Sequence, residues 1–258
     1  MDRRSTWRYG LKSLVGAGLL ICSSWIHTPL AQGLALRDGD YVTERGWGKL
    51  SIRSDKNGRS QTFSIQAIGV NAHECSLDGK VRGGKATLNS DYGEGPCNIE
   101  FKALPEGSIA VMPNESNHRA CSGFCGARAY FSGTYLPLPS ECSRSGVDKI
   151  RAEFKRAYDR KDFAQARSVL EAPFIKCEKQ LHYPVRDRMA NDLALTQNHL
   201  GDDEGCRKTL ASLVELASTA DAKINAPPAE EDVVRSIVRA TRTNLRLCKF
   251  PLTVGSGK

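Results

Sequence analysis

The sequence predicts an α+β protein of two modules: an N-terminal small antiparallel β barrel or sandwich, and a C-terminal α-helical repeat made of helical hairpins. Three observations predict this division. Apolar residues alternate with a period of two in short runs from Gly39 to Tyr135, whereas they recur with a helical period after Cys142. Pro137 and Pro139 separate the two patterns. The cysteines outside the N-terminal stretch divide evenly about the same point, which indicates two separately cross-linked modules.

Residues 1–33 have the pattern of a secretory signal peptide. Basic residues precede the apolar stretch SLVGAGLLICSSWI, which is too short for a membrane-spanning helix, and small residues follow in PLAQGLA. The pattern allows cleavage after Ala31, Gly33 or Ala35. Ile21 precedes Cys22, whereas a lipoprotein signal has a small residue before its cysteine, so a lipoprotein is the less favoured interpretation. The sequence therefore predicts a periplasmic or secreted protein without an integral membrane segment once the leader is removed.

The charge pattern argues against nucleic acid as a partner. The formal charge of +8 falls to +5 without the leader, because residues 1–33 carry four basic residues and one aspartate. The remaining cations are dispersed, with no run of five or six, and no basic stripe interleaved with aromatic residues is present. A mildly basic surface is the first interpretation, and a basic patch facing an acidic partner is the second.

The first module spans residues 36–138 and consists of short alternating runs. KLSIRSD and RSQTFSIQAI flank Asn57-Gly58, a dipeptide typical of hairpin turns. Pro105-Glu106-Gly107 separates NIEFKAL from SIAVMP and predicts a second tight turn, while KATLNS and RAYFSGTY continue the alternation. Seven or eight short strands in this length predict a small barrel or sandwich.

The second module spans residues 143–250 and has helical periodicity. Its first helix presents one apolar face made of Val147, Ile150, Phe154, Ala157 and Tyr158. A second helix begins in DFAQARSVL, further helices are predicted in RMANDLALTQNHLGD and DEGCRKTLASLVELA, and the last lies in AEEDVVRSIVRATRTNLRLC. These helices predict stacked hairpins that bury their apolar faces against one another.

A spacing of 40 residues relates the two halves of this module. It aligns Asp162 with Asp202, where each aspartate is placed to cap a helix, and it also aligns Arg167 with Arg207 and Leu170 with Leu210. This agreement predicts an internal repeat of helical hairpins.

The even number of cysteines predicts disulfides in an oxidising compartment. In a helical hairpin the start of the first helix lies beside the end of the second, which pairs Cys142 with Cys177 and, by the same logic, Cys206 with Cys248. In the β module Cys97 and Cys121 flank one hairpin, so that Cys75 is left for Cys125. Sequence alone allows three pairings for each set of four, so these assignments stay open.

The stretch CSGFC, residues 121–125, has two alternative interpretations besides disulfides. A metal site would draw on His73 and His118, but no second cysteine dyad follows. A thioredoxin-like centre needs two intervening residues at the start of a helix, whereas three intervene here within a β pattern. We therefore expect structural disulfides and neither a metal nor another cofactor.

No catalytic motif is evident, and the sequence predicts a protein that is not an enzyme. Neither Gly-x-Ser-x-Gly nor His-Glu-x-x-His is present. A pair of glycosidase carboxylates would come from the acidic residues of the β module, but acidic residues on strands and turns are usually solvated. The candidates for such a pair are Asp40, Glu44, Asp91 and Glu94.

Two resemblances carry functional expectations. KDFAQARSVL and LALTQNHLGD resemble tetratricopeptide repeats over about 100 residues, a family that binds peptides or proteins along a concave helical face. NAHECSLDGKV, GPCNIEFKAL and CSGFCGARAYFSGTY resemble, over about 60 residues, the small barrel domains related to bacterial inhibitors of C-type lysozyme. That resemblance implies an inhibitory loop that contains Ser122, Arg128 and Tyr130. Phe124 and Cys125 lengthen the loop relative to that family, Ala129 separates the arginine from the tyrosine, and the extra cysteines are not part of the family pattern.

Together these features predict a non-enzymatic binding protein whose target is a cell-wall (peptidoglycan) hydrolase of lysozyme type, either a host enzyme or a rival's secreted toxin. The alternative is an envelope scaffold or assembly factor that holds a protein partner in its helical groove. A third interpretation gives the helices an architectural role only, as a cap on the β domain.

Overall fold

The computed structural model describes residues 36–58, 60–69, 72–90, 94–114 and 119–255, which belong to one compact unit. The predicted leader, Asp91 and His118 lie outside these residues. In the part of the chain that is described, no helix combines the length and the apolar character that a membrane span requires.

Eight antiparallel strands form a single sheet that curls into a nearly closed barrel. The chain order along the sheet is β4-β3-β2-β1-β8-β7-β6-β5, so β1 pairs with both β2 and β8 and joins the two halves. The strands are β1 Gly39–Thr43, β2 Gly48–Ser54, β3 Gln61–Ile68, β4 Glu74–Val81, β5 Lys85–Leu88, β6 Cys97–Ala103, β7 Ile109–Pro113 and β8 Gly133–Pro137.

The apolar residues that alternate along the strands form the core of the barrel. Along β3, Phe63, Ile65 and Ala67 are buried while the residues between them face outwards. β1 departs from this alternation, because all three residues of Tyr41–Thr43 are buried. The turns lie where the sequence predicts them: Gly58 has φ 63° between β2 and β3, and Glu106 has φ 63° between β6 and β7. RAYFSGTY differs from the prediction, because the strand begins only at Gly133.

Two disulfides close the barrel at the seam between its edge strands, β4 and β5. Among the described residues, the backbones of these two strands pair only at the tight turn of Arg82 and Lys85. A short 3-10 helix, Arg119–Phe124, lies at this seam. The disulfide Cys97–Cys121 ties it to β6, and Cys75–Cys125 ties the residue after it to β4, which are the pairs that the sequence predicts.

Six α-helices follow the barrel and surround a second apolar core. They are α1 Arg144–Asp159, α2 Phe163–Cys177, α3 Tyr183–His199, α4 Asp203–Leu210, α5 Val214–Ser218 and α6 Glu231–Leu247. The single helix predicted through DEGCRKTLASLVELA is wrong, because a 3-10 turn over Ala211–Leu213 divides it into α4 and α5. The chain bends there while Leu210, Leu213 and Ala217 all remain buried in the core.

The 40-residue spacing has a structural counterpart at the start of α2 and of α4. Asp162 and Asp202 are N-caps that accept hydrogen bonds from the backbone N–H three residues later. The residues before them, Lys161 and Gly201, both have positive φ, at 62° and 75°. The disulfides Cys142–Cys177 and Cys206–Cys248 join the helix ends that the sequence pairs.

The barrel contacts the helices through the β1–β2 loop. The Arg45 N–H donates to the Lys179 carbonyl at 2.8 Å, and Arg45 has φ 65°. A methyl group at Gly46 would lie 3.0 Å from the His182 backbone nitrogen, which shows how closely the two backbones approach. This contact was not predictable from the sequence, because it depends on a positive φ at Arg45 that no local pattern indicates.

Candidate functional site

A tight turn, Gly126–Ala129, forms the centre of the candidate site. The Ala129 N–H donates to the Gly126 carbonyl at 3.0 Å, so Ala127 and Arg128 occupy the tip of the turn, and both are exposed. In the part of the chain described, no ion pair or side-chain hydrogen bond involves Arg128. The turn therefore presents an unpaired guanidinium to solvent.

Three contacts fix the first half of this turn against β4 and the residues before it. Cys125 is bound to Cys75, and the next residue, Gly126, donates its N–H to the Glu74 carbonyl at 2.8 Å. A methyl group at Gly126 would lie 2.8 Å from His73 Nδ1. Only glycine allows this close approach without displacing a neighbour.

The chain after the turn is anchored by alternating burial. Ala129 and Phe131 are buried in the barrel core, whereas Tyr130 between them is 64% exposed. The buried Tyr135 hydroxyl donates to the Phe131 carbonyl at 2.7 Å, and burial raises the pKa of that hydroxyl, which keeps it protonated as a donor. Arg128 and Tyr130 thus project from a segment that is held on both sides.

Ser122, the third predicted residue, lies in the 3-10 helix before the turn and is exposed. Its hydroxyl donates to the Arg119 carbonyl at 2.7 Å, so the proton is already used within the helix. No side-chain hydrogen bond of the described residues connects Ser122 with Arg128 or Tyr130. Arg128 and Tyr130 therefore lie on the same segment, whereas Ser122 lies on the 3-10 helix that precedes it.

A cleft that the sequence analysis missed lies on the neighbouring strands. It has a volume of about 200 Å³, and Trp47, Lys49, Ile68 and Glu74 are among the residues that line it. Ile68 is 58% exposed, and a methyl group on the next residue, Gly69, would lie 2.0 Å from the Arg128 carbonyl oxygen. The signal was present in QTFSIQAI, where alternation places this isoleucine on the outer face.

The other predicted chemistries find little support in the geometry. Both cysteines of CSGFC are in disulfides, so neither thiol is available as a metal ligand. In the described ranges no three His, Cys, Asp or Glu residues are grouped closely enough to hold a metal. Asp40 accepts from the Ser51 hydroxyl and from Arg53, both at 2.6 Å, and these contacts lower the pKa of its carboxyl.

A second surface crosses helices α1 and α3. Arg151 lies 3.6 Å from Asp192, and the Tyr158 hydroxyl lies 3.0 Å from His199 Nε2. The two contacts have the same separation in sequence, which shows that α1 and α3 run in the same direction. Phe163 stacks on His199 with ring centres 4.2 Å apart. The face is therefore both polar and aromatic.

The ionisable groups of this second surface are shifted by their surroundings. Burial raises the pKa of the Asp192 carboxyl, although Arg151 opposes that effect. Burial and the charge of Asp192 raise the pKa of the Tyr158 hydroxyl. The Nε of Arg151 is buried without a hydrogen-bond partner among the described residues, so one donor of this guanidinium is unused.

Two surfaces of the described residues thus present recognition chemistry: the turn with Arg128 and Tyr130, and the α1–α3 face. Comparison of the chain with protein-family models, with curated proteins and with solved structures finds no match.

Proposed function

We propose that this protein is a non-enzymatic binding protein that inserts the Gly126–Ala129 turn into the active-site cleft of a lysozyme-like cell-wall hydrolase. The observation that carries the proposal is an exposed arginine, without an ionic partner among the described residues, at the tip of a turn held by a disulfide on one side and by buried residues on the other. The resemblance of CSGFCGARAY to the inhibitory loop of lysozyme inhibitors supports the choice of target.

Preorganisation explains why this turn is suited to binding. Association costs free energy when a loop must be ordered, and about 0.5–1.5 kcal/mol is lost for each flexible side chain immobilised. The backbone of the turn is already fixed by Cys125, Gly126 and Ala129, so docking has little backbone entropy left to remove. Most of the remaining ordering cost falls on the Arg128 side chain.

The chemistry of Arg128 fits a glycan hydrolase. Such enzymes use a pair of carboxyl groups, one of which must be protonated while the other carries a negative charge. A guanidinium placed between them forms charge-assisted, bidentate hydrogen bonds and favours the ionised form of both groups. The exposed Tyr130 ring adds apolar contact area at a low entropic cost. Ser122 would contribute an acceptor oxygen only, because its proton is donated to Arg119.

Inhibition of peptidoglycan clearing tests the proposal. Protein lacking residues 1–33 is titrated into reactions with several lysozyme types, beside Arg128→Ala and a control, Arg82→Ala. Arg82 is also exposed but follows the opposite end of β4, about 25 Å away. We expect saturable inhibition that Arg128→Ala weakens by about thirtyfold or more, as for a central interface residue, and that Arg82→Ala leaves unchanged. Equal potency of all three proteins would contradict the assignment, and lack of inhibition of every lysozyme type would contradict the target class.

A second candidate function uses the α1–α3 face to hold a protein partner, as an envelope scaffold would. The combination of the Arg151–Asp192 ion pair with the aromatic contacts of His199 to Tyr158 and Phe163 on one face favours it. On this hypothesis Arg151→Ala abolishes capture of the partner and leaves lysozyme inhibition unaffected. Loss of inhibition in Arg151→Ala would argue instead that the helices belong to the inhibitory surface.

The four disulfides place folding in an oxidising compartment. We infer from the leader-like residues 1–33 that this compartment is the periplasm or the exterior of the cell. The secreted protein is then expected to begin after Ala31, Gly33 or Ala35, which N-terminal sequencing of the mature chain checks. An intact Met1 in the disulfide-bonded protein would contradict cleavage.

A further inference from the structure

The eight paired cysteines are not equally accessible. Seven of them are at most 4% exposed, in both the barrel and the helical core. Cys125 is the exception among the described cysteines, because it is only partly buried and packs at the margin of the barrel core. Since thiol–disulfide exchange requires direct attack on a sulfur atom, this difference in exposure separates Cys75–Cys125 from the other three disulfides.

The position of this disulfide is also distinctive. It joins β4 to the segment that crosses the seam, where the described backbones of β4 and β5 pair only at the Arg82–Lys85 turn. The next residue after Cys125 begins the turn that carries Arg128. The other barrel disulfide, Cys97–Cys121, is more deeply buried and holds the 3-10 helix independently to β6.

We infer that Cys75–Cys125 is a site of thiol–disulfide exchange for a dithiol, such as the active-site Cys-x-x-Cys of an oxidoreductase in the same compartment. The first thiolate of the dithiol attacks the Cys125 sulfur, the Cys75–Cys125 bond breaks, and Cys75 leaves as a thiolate that takes up a proton. The second thiol of the dithiol loses its proton and attacks the dithiol's own sulfur in the mixed disulfide. Cys125 leaves as a thiolate and takes up a proton. The protein disulfide is thereby reduced to two thiols, and the dithiol is oxidised to its disulfide.

Exchange at this site releases the turn and leaves the rest of the fold cross-linked. The Gly126–Glu74 hydrogen bond and the burial of Ala129 remain, but the covalent link to β4 is lost. Cys97–Cys121 and the two helical disulfides persist because their sulfur atoms are buried. The reduced protein therefore has a less restrained turn on an intact barrel. Whether this lowers binding to a hydrolase rests on the proposed function; the exchange itself does not.

Reduction under native conditions tests the inference on the full chain without its leader. The protein is incubated with dithiothreitol in the absence of denaturant, samples are quenched with N-ethylmaleimide, and labelled cysteines are identified by peptide mass spectrometry. We expect Cys75 and Cys125 to be labelled at least about tenfold faster than the other six. Simultaneous labelling of all eight cysteines, or earlier labelling of any other pair, would overturn the inference.

The double variant Cys75→Ser/Cys125→Ser examines the consequence for the turn. Hydrogen exchange of the Ala129 amide, which is bonded to the Gly126 carbonyl, is expected to accelerate by about tenfold, while amides in β2 and β3 keep their protection. Unchanged exchange at Ala129 would show that the disulfide does not hold the turn. Lysozyme inhibition is measured in a separate assay. If the proposed function fails, cysteine labelling and hydrogen exchange at Ala129 still test the inference.

Discussion

Arg128 has no ionic partner among the described residues, whereas Arg53 on the same barrel is held 2.6 Å from Asp40. A cation that is already paired must exchange that partner before it binds another group. An unpaired cation gives up only its hydration and its rotamer freedom. At the scale of single residues, this difference makes Arg128, and not Arg53, the side chain suited to a carboxylate of a partner.

Asp187 provides a residue-scale prediction about pH. The carboxyl is buried and paired with Arg186 at 2.6 Å; burial raises its pKa above the ordinary 3.8, and Arg186 opposes the rise. The folded protein therefore holds this proton more tightly than the unfolded chain does. The contribution of Asp187 to stability is greatest below pH 3.8 and falls as the pH rises through the raised pKa.

Asp187→Asn removes this pH dependence. As the pH rises from about 4, we expect the free energy of unfolding of the wild type to fall relative to that of the variant. Urea denaturation at a series of pH values measures it. A difference that is constant with pH, or that moves in favour of the wild type, would contradict the burial argument.

At the scale of elements, the two capped turns of the helical part offer a matched comparison. Lys161 and Gly201 occupy equivalent left-handed positions before the caps Asp162 and Asp202. A residue with a side chain is strained by about 1 kcal/mol or more in this conformation, whereas glycine is not. No atom lies within 4 Å of the Cβ position at Gly201, so backbone conformation is the main difference between the sites.

Exchange of the two residue types tests this equivalence. Lys161→Gly is expected to stabilise the protein by about 0.5 kcal/mol after the entropic cost of glycine, and Gly201→Lys to destabilise it by about 1 kcal/mol. Urea denaturation of both variants gives the values. Changes of the same sign in the two variants would show that the turns are not equivalent.

The elements that local chemistry specifies were predictable from the sequence. Alternation located the strands, Asn57-Gly58 located a turn, and Asp162 located a helix start, because each depends on residues close together in the chain. Cys97–Cys121 and Cys142–Cys177 followed because a hairpin brings its ends together, whereas Cys75–Cys125 was assigned by elimination. Cys206–Cys248 was predicted by the same hairpin geometry, although α5 lies between the helices that carry the two cysteines. The break at Ala211–Leu213 was missed, since LASLVELA has helical periodicity throughout.

The candidate site was predictable only in part. The sequence singled out Arg128 and Tyr130, and both are exposed. It did not reveal that Ser122 donates its proton to Arg119, or that Ile68 and the turn lie on neighbouring segments, because these facts depend on how distant strands meet. For the same reason it did not predict the contact between Arg45 and Lys179.

At the scale of the whole molecule, disulfides hold the barrel where the hydrogen bonds of the sheet end, between the edge strands β4 and β5. A disulfide with a sequence separation of 50, such as Cys75–Cys125, is worth about 4 kcal/mol in the chain-entropy account. It lies at the seam of the barrel and beside the turn, so the same bond stabilises the fold and positions Arg128. The helices contact the loop between β1 and β2, and Gly46 and Trp47 of this loop also line the cleft that includes Cys75.

The central claim is that this turn occupies the active-site cleft of a lysozyme-like hydrolase. Calorimetric titration of a lysozyme inhibited in the clearing assay, with and without an N-acetylglucosamine oligosaccharide bound in its cleft, tests it most directly. The account predicts that the apparent affinity falls in proportion to the oligosaccharide concentration, as competition for one site requires. An affinity that is independent of the oligosaccharide would place the contact outside the cleft and contradict the account.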